Sequence, residues 1–218
     1  MTEIKTVSII GLGALGILFG NQISKNLPKG SLRIIADKDR ITRYRRDKIY
    51  SNGEECNFEY MTPDTSCPQA DLIIFTVKFG GLQQAIRDVK NQVGENTVII
   101  SALNGISSEQ IIGQFYGMDK MLYCVSQGMD AVRVDNRLSY TRMGELCVGD
   151  IQPGIISDKT KAVAEFFEKT GVPYEIDTDM VRRMWGKFML NVGINQTVAV
   201  YGRNFRDAQE DGPVRDIM

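Results

Sequence analysis

The chain has 218 residues, a formal net charge of −1, four cysteines and no histidine. The balanced charge excludes an electrostatic nucleic-acid or membrane partner, the apolar runs fall short of the ~20 residues of a membrane span, and the N-terminus lacks a signal-peptide pattern, so we expect a cytoplasmic chain. The lack of histidine excludes imidazole acid–base catalysis, and because the cysteines form no CxxC pair we expect neither a metal site nor disulfides.

The first predicted unit is a strand, a glycine-rich turn and a helix in the segment KTVSIIGLGALGILFG, which begins at Lys5. In a dinucleotide-binding turn of this type, Gly11 permits the sharp bend, Gly13 lets the backbone approach a pyrophosphate, and Gly16 lets the helix pack closely on the strand. The alternative is a merely structural glycine turn. We predict cofactor contacts by Gly11, Leu12, Gly13, Ala14, Leu15 and Gly16.

The following segments alternate between apolar runs and helical periodicity, as a parallel, doubly wound sheet requires. Strands are predicted at Leu32–Ala36, Leu72–Val77, Thr97–Ala102 and Met121–Val125, with two more between Arg137 and Val148 and another at Val172–Ile176. Helices are predicted at Asp39–Asp47, Gly81–Val89, Ser108–Phe115, Ser157–Thr170 and from about Asp179 onwards. We therefore predict an α/β, Rossmann-like domain over residues 1–176, followed by the start of an all-helical domain at 177–218.

Charged residues follow the second predicted strand. Asp37 ends that strand, where a carboxylate would accept hydrogen bonds from a ribose 2′-OH and disfavour a 2′-phosphate. Lys38, Arg40 and Arg43 come next, and these cations either bind a phosphate or coat a helix surface. We predict that Asp37 and Lys38 contact the cofactor, and the choice between NAD and NADP stays open.

Two further residues follow predicted strands directly. Lys78 comes after the run LIIFTV, and Asn104 comes after VIISAL. Ligands of such sheets bind beyond the carboxyl ends of the strands, so both side chains are expected where a nicotinamide and its substrate would meet. The alternative is an ordinary loop position for each.

Lys187, Asn191 and Asn195 recur at four-residue steps inside the apolar run MWGKFMLNVGINQTVAV. On an α-helix, such positions drift by only about 40° per step and share one face. Burial of an ammonium and two carboxamides without partners is costly, so this face is expected to contact a polar ligand. An exposed helix face is the alternative, because Lys and Asn are usually exposed.

Taken together, these features resemble the 2-dehydropantoate 2-reductase (ketopantoate reductase) family along the whole chain. The residues that carry the resemblance are the segment GLGALG, Lys78, the pair Asn104 and Gly105, and Trp185, Lys187, Asn191 and Asn195. The resemblance implies NADPH-dependent reduction of 2-dehydropantoate to (R)-pantoate, a step toward pantothenate and coenzyme A. It also implies that Lys187 is the catalytic proton donor, that Asn191 and Asn195 bind substrate, and that Lys78 and Asn104 line the junction of cofactor and substrate.

Two features depart from the family pattern. The family usually carries an arginine near the end of the second strand, where this chain has Asp37 followed by Lys38, so NAD remains an alternative cofactor. The helical domain of the family is also much longer than the residues that follow Asp177, so we expect a truncated chain. For partners, we expect a small 2-keto acid substrate, and we keep a homodimer as an open alternative to a monomer.

The chemistry of Lys187 fits a reductase independently of the resemblance. Hydride transfer to a ketone leaves negative charge on its oxygen, which an ammonium stabilises and protonates. An ordinary lysine pKa of about 10.4 keeps this group charged at neutral pH, as the reductive direction needs. Asn191 and Asn195 offer donors that hold a carboxylate or hydroxyl in register.

Three other functions remain open from the sequence. Lys187 and Asn191 also resemble the Lys-x-x-x-Asn pattern of β-hydroxyacid dehydrogenases, and a substrate screen separates the two. A short-chain reductase would use one of the Tyr-x-x-x-Lys patterns at Tyr44–Lys48 and Tyr116–Lys120, but that class has a different glycine spacing. A non-catalytic NAD(P)-binding sensor would have no turnover to lose when Lys187 is replaced.

Overall fold

The chain forms an α/β fold in this computed structural model, which describes residues 3–202, 204, 207, 210–212 and 215–216. Its strands are β1 (Val7–Ile10), β2 (Leu32–Ile35), β3 (Tyr50–Ser51), β4 (Glu54–Glu55), β5 (Glu59–Met61), β6 (Leu72–Phe75), β7 (Val98–Ser101), β8 (Met121–Gln127), β9 (Val132–Val134), β10 (Arg137–Ser139), β11 (Glu145–Gly149) and β12 (Tyr174–Ile176). Its helices are α1 (Ala14–Asn26), α2 (Lys38–Asp47), α3 (Leu82–Asp88), α4 (Ser108–Tyr116), α5 (Asp158–Thr170), α6 (Met180–Leu190) and α7 (Gln196–Val200). The strands and helices predicted from the sequence are present among the described residues, except that the helix predicted from about Asp179 onwards ends at Val200.

The main sheet has eight strands in the order β12-β11-β8-β7-β6-β1-β2-β5. The six strands from β8 to β5 run parallel, with Val7 beside Leu32 on one side and Leu72 on the other. The chain leaves β1 toward β2 and later returns to β6 on the opposite side of β1. This reversal creates a crevice beyond the carboxyl ends of β1 and β6, the usual ligand position of such folds.

The predicted parallel sheet is mixed at one end, where β11 and β12 run against the direction of the other six strands. β11 pairs antiparallel with β8, with Glu145 beside Gln127 and Gly149 beside Tyr123, and β12 is parallel to β11. The segment between β8 and β11 contains the hairpin β9–β10 in place of a crossover helix. Two parallel strands need a crossover segment that carries the chain back to the end of the sheet where the first strand began. The β9–β10 hairpin is not such a crossover, so β11 runs antiparallel to β8.

Helices cover both faces of the main sheet, which explains why its strands are apolar throughout. Alternate residues of β1 point to opposite sides. Ile9 packs in a cluster with side chains of α1 and α5, whereas Ile10 packs in a cluster with side chains of α3 and α4. The Rossmann-like, doubly wound architecture predicted from the sequence is therefore confirmed.

A second, small sheet has the strand order β4-β3-β10-β9 and was not predicted as a separate unit. Its β3–β4 hairpin turns at Asn52 and Gly53, which have φ angles of +48° and +86°. An Asn-Gly pair with positive φ at both positions is the preferred two-residue hairpin turn. The pair was therefore a usable sequence signal for this hairpin.

Helix α6 packs on the main sheet, on the same side as α3 and α4. Met180 and Met184 are buried against Tyr123, Val125 and Cys147 of β8 and β11. The division into domains between residues 176 and 177 stays a prediction. Within the described residues, no helix is both long enough and apolar enough to cross a membrane.

Candidate active site

Two glycines of the turn after β1 are required by the fold itself. Gly11 has a φ of +102°, and a Cβ there would lie 2.8 Å from the backbone C of Thr76 and the backbone N of Val77. A Cβ at Gly16 would lie 2.0 Å from the carbonyl oxygen of Gly11. Since real Cβ atoms do not approach so closely, glycine at these two positions lets α1 pack against the end of β1 and β6.

Gly13 differs from the other two glycines. A Cβ there would meet only the carbonyl oxygen of Thr76, at an ordinary contact distance of 3.6 Å, and its φ is −76°. The fold therefore does not need glycine at this position, whereas a ligand that closely approaches the backbone does. Gly13 is also the N-cap of α1, and no described side chain caps this helix. An uncapped helix N-terminus beside an open backbone is a suitable site for a phosphate.

A cavity of about 440 Å³, here called the glycine cleft, opens beyond the carboxyl ends of β1, β2 and β6. The backbone of the turn forms its floor. The polar and charged residues in its lining are Arg40, Arg43, Thr76, Lys78, Gln84, Asp88 and Arg133. Because four of these side chains are cationic and one is a carboxylate, the cleft suits a ligand that carries phosphates.

The structure does not place Asp37 and Lys38 in the glycine cleft. The Asp37 side chain accepts a hydrogen bond from the backbone N–H of Arg40 at 2.8 Å and so caps α2. Both residues line a separate, shallow depression at the start of that helix, together with Thr62 and Asp64. Aspartate is a preferred N-cap, and α2 starts directly after β2, so this carboxylate serves the helix instead of the cleft.

Among the other predicted cofactor contacts, Leu12 and Lys78 line the glycine cleft. Ala14 and Leu15 form the first turn of α1 and are half-buried. Asn104 is exposed in the loop after β7 and does not line the cleft. The structure thus brings the turn and Lys78 together, and it leaves Asn104 on the neighbouring loop of the same sheet edge.

Lys187 lies on α6 and points toward the end of β8. Its Nζ donates to the backbone carbonyl of Ser126 and lies 3.4 Å from the Oγ of the same residue. Burial lowers the pKa of this ammonium below its ordinary value. Since β8 is parallel to β7, β6 and β1, its carboxyl end lies at the same sheet edge as the glycine-rich turn.

Lys187 lines a second cavity, of about 490 Å³, which we call the lysine cleft. Its lining residues are Gln127, Asp177, Asp179, Arg182, Arg183, Gly186, Lys187 and Leu190. The two clefts share no lining residue, so the described part of the chain does not enclose Lys187 and the turn in one cavity. A substrate that spans both clefts would have to bridge them along the sheet edge.

The carboxylates of Asp177 and Glu175 are bonded to Arg183. The Nε of Arg183 donates to Asp177 and its Nη2 donates to Glu175, both at 2.5 Å. The backbone N–H of Asp179, followed by the guanidinium of Arg183, lowers the pKa of the Asp177 carboxyl. Among the described residues, Lys187 makes no ion pair. Its charge is therefore available to a negatively charged group of a ligand.

Asn191 and Asn195 lie on one face, as predicted, because the Nδ2 of Asn195 donates to the Oδ1 of Asn191 at 2.8 Å. The segment Asn191–Asn195 is nevertheless a π-helical turn instead of the predicted α-helix. Single π-turns inside helices occur frequently at functional sites. Neither asparagine lines the lysine cleft. Trp185, which lies earlier on α6, packs edge-on against Phe188, with 5.9 Å between the ring centroids.

Glu109 is a buried acidic residue that the sequence did not single out. It lies in the first turn of α4 and is 1% exposed. Its Oε2 accepts a hydrogen bond from Ser108 Oγ at 2.9 Å, which in turn accepts one from Ser101 Oγ at 2.8 Å. Its Oε1 has no partner among the described residues, and burial raises the pKa of the carboxyl to about 7. A glutamate in a first helical turn is usually exposed, so no local pattern indicates this burial.

Replacing Glu109 with glutamine should stabilise the protein at pH 8 by about 1 to 3 kcal/mol and have little effect at pH 5. The pKa of Glu109 rises from its ordinary value of 4.5 to about 7 on folding, so the free energy of unfolding falls as the pH rises between these values. Glutamine keeps the shape but cannot ionise. Urea unfolding at pH 5 and pH 8 measures the effect, with the exposed Glu165→Gln as control. Equal effects at both pH values would contradict the prediction.

Sequence comparison finds a family and curated relatives that this chain resembles. Residues 7–153 match the family described as ketopantoate reductase PanE/ApbA. The 2-dehydropantoate 2-reductase of Streptococcus pyogenes serotype M6 is 28% identical over 213 residues, which are 94% of this chain and 68% of that protein. The chain thus spans about two thirds of the length of this curated relative.

Solved structures share the fold at low sequence identity. The crystal structure of 2-dehydropantoate 2-reductase from Geobacter metallireducens GS-15 matches with a TM-score of 0.81 and 18% identity, covering 97% of this chain and 70% of that chain. The ternary structure of D-mandelate dehydrogenase with NADH and anilino(oxo)acetate matches with a TM-score of 0.84 and 18% identity, covering 97% and 69%. Because the family match covers more than half of the residues of this chain, the chain belongs to the ketopantoate reductase PanE/ApbA family.

Proposed function

We propose that the chain reduces 2-dehydropantoate to (R)-pantoate with NADPH, in the synthesis of pantothenate and coenzyme A. Membership of the family makes it an oxidoreductase with a nicotinamide cofactor and a small keto acid substrate. The observation that carries the proposal is the half-buried Lys187 ammonium, which makes no ion pair among the described residues and lies at the sheet edge that bears the glycine-rich turn.

The residues of the glycine cleft fit a dinucleotide. The open backbone at Gly13 and the uncapped N-terminus of α1 suit a pyrophosphate. Arg40 and Arg43 line the cleft beyond β2, while Asp37 caps α2, so a 2′-phosphate would meet cations. This arrangement supports NADPH over NADH. When bound, the reduced nicotinamide supplies a hydride to the ketone carbon of the substrate.

Lys187 supplies the proton in this proposal. Its ammonium stabilises the negative charge that develops on the ketone oxygen, then transfers a proton to that oxygen. Burial lowers the pKa of Lys187 and so makes it a stronger acid, while the Ser126 carbonyl holds its Nζ in place. The neutral amine is reprotonated from water, which reaches it through the lysine cleft.

The asparagines of the π-turn are proposed to hold the substrate. Asn195 donates one of its amide hydrogens to Asn191, so the amide of Asn191 keeps both of its own donors. These donors suit the carboxylate or hydroxyl of 2-dehydropantoate. In the same proposal, Asn104 and Lys78 contact the cofactor and the substrate where the two molecules meet. The residues from 177 onwards begin the domain that binds the substrate.

The proposed function is tested by following NADPH absorbance with the purified chain and 2-dehydropantoate. We expect turnover with NADPH at least about 10-fold faster than with NADH, from a charged hydrogen bond to the 2′-phosphate. Arg43→Ala should remove most of this preference. Arg45→Ala is the matched control, since Arg45 lies on the same helix but does not line the glycine cleft. Equal rates with both cofactors in the unaltered chain would refute the NADPH preference.

An NADH-dependent reductase of another 2-keto acid is the second candidate. The fold match to D-mandelate dehydrogenase, whose structure was determined with NADH and anilino(oxo)acetate, motivates this candidate. The same assay with phenylglyoxylate and NADH tests this candidate. Faster turnover with this pair than with 2-dehydropantoate and NADPH would replace the proposed function by the second one.

A further inference from the structure

Arg133 reaches the glycine-rich turn from the small sheet, far along the chain from the turn itself. It lies on β9, and its Nη1 donates to the backbone carbonyl of Leu12 in the middle of the turn. Its Nε donates to the carbonyl of Asp135 at 2.8 Å. These two bonds hold the guanidinium at the wall of the glycine cleft, where Arg133 is a lining residue.

The hairpin that carries Arg133 is fixed to the rest of the fold. At its turn, Nδ2 of Asn136 donates to the carbonyls of Asp47 at 2.5 Å and Lys48 at 3.0 Å, at the end of α2. Leu138 of β10 is 1% exposed and belongs to the main core. The position of Arg133 is therefore set by the packing of the small sheet, which reduces the ordering cost of binding a ligand.

The charge of Arg133 is not neutralised by the protein. Among the described residues, no carboxylate forms an ion pair with it. Arg43 and Lys78 line the same cleft and also lack an ion pair within the described chain, whereas Arg40 is paired with Asp37 at 3.4 Å. Three unpaired cations beside a helix N-terminus create a site that attracts a polyanion.

We propose that Arg133 is a cofactor-binding residue whose guanidinium binds the pyrophosphate of the dinucleotide over the glycine-rich turn. The assignment rests on the proposed function, since it requires a dinucleotide in the cleft. The pyrophosphate is the partner because Arg133 contacts Leu12 of the turn, where a pyrophosphate binds, whereas a 2′-phosphate lies beyond β2 near Arg40. The guanidinium has five N–H donors, so it can keep its bond to Leu12 while it binds phosphate oxygens.

Calorimetric titration of the unaltered chain and of Arg133→Ala with NADP⁺, NAD⁺ and adenosine 2′-phosphate tests the assignment. We expect the substitution to weaken binding of both dinucleotides by about 10- to 100-fold. The affinity for adenosine 2′-phosphate should change by less than twofold, since only the dinucleotides contain a pyrophosphate. Arg133→Lys should recover part of the loss, because lysine keeps the charge without the planar fork.

Two further variants separate charge from structure. Arg137→Ala is the matched control, since Arg137 lies on the same hairpin with its guanidinium 4.5 Å above the Tyr50 ring, and it should bind both dinucleotides as tightly as the unaltered chain. Arg133→Gln retains an N–H donor near the position of the Arg133 Nε, which bonds to the carbonyl of Asp135, but lacks the charge. It should melt at the same temperature as the unaltered chain and show the same loss of affinity as Arg133→Ala.

The outcomes distinguish this assignment from the proposed function. If the unaltered chain binds NADP⁺ and both Arg133→Ala and Arg133→Gln bind it within twofold, the Arg133 assignment is overturned and the proposed function stands. A loss for NADP⁺ and adenosine 2′-phosphate without a loss for NAD⁺ also overturns it, in favour of a 2′-phosphate contact. If the unaltered chain binds no dinucleotide, both are overturned.

Discussion

Replacing Lys187 with alanine is expected to lower kcat by about 100- to 10,000-fold while leaving NADP⁺ affinity within twofold. The substitution removes the proton donor of the proposed reaction but no residue of the glycine cleft. Stopped-flow measurement of a single turnover gives the chemical step, and calorimetric titration gives the cofactor affinity. A parallel loss of both quantities would indicate a structural role for Lys187 in place of a catalytic one.

Lys159 offers a matched control for this experiment. Its Nζ also donates to backbone carbonyls, those of Asp119 at 2.5 Å and Met121 at 3.1 Å, but at the opposite end of β8. Lys159→Ala should therefore leave turnover unchanged. In the unaltered chain, the reductive rate should fall as the pH rises through the pKa of Lys187, which burial places below the ordinary 10.5. If Lys187→Ala turns over as fast as the unaltered chain, Lys187 is not the proton donor.

Replacing Gly16 with alanine is expected to lower the free energy of unfolding by about 3 kcal/mol and to weaken cofactor binding. The added Cβ would lie 2.0 Å from the carbonyl oxygen of Gly11 and 2.7 Å from the Oγ1 of Thr76. Because Gly11 O is backbone, α1 must move away from the end of β1. Urea unfolding measures the change in stability, and calorimetric titration with NADP⁺ measures the change in cofactor affinity.

Gly186 provides the opposite case within the same chain. It lies inside α6, and a Cβ there would meet no atom within 4 Å. Gly186→Ala should therefore raise the free energy of unfolding by about 0.5 to 1 kcal/mol, because alanine is the better helix former. If Gly16→Ala also raised the free energy of unfolding, the inference that α1 packs too closely on the turn to admit a Cβ at this position would be contradicted.

Most of the main sheet was predictable because its strands are short apolar runs separated by helical periodicity. The predicted strand Thr97–Ala102 is one residue longer than β7 at each end, and the predicted helix Ser108–Phe115 is one residue shorter than α4 at its C-terminal end. Strand direction was harder to predict. The segment after β8 contains no helical pattern, and the reversal of β11 depends on how the hairpin β9–β10 packs, which local periodicity does not determine.

The site was predicted in part for similar reasons. Glycine spacing identified the turn, since the requirement at Gly11 and Gly16 is local and steric. Asp37 was predicted at the cofactor because it ends a strand, yet its capping bond to Arg40 is an equally local use of the same carboxylate. Arg133 carried no sequence signal, because it meets the turn through a contact between residues 121 positions apart.

Helix α6 has an optical property of practical use. Trp185 is the single tryptophan of the chain, and it is 50% exposed two residues before Lys187. Indole fluorescence of this protein therefore originates from α6 alone. Its emission wavelength follows the hydration of that helix, and its quenching by a bound reduced nicotinamide would report the distance between α6 and the glycine-rich turn without a chemical label.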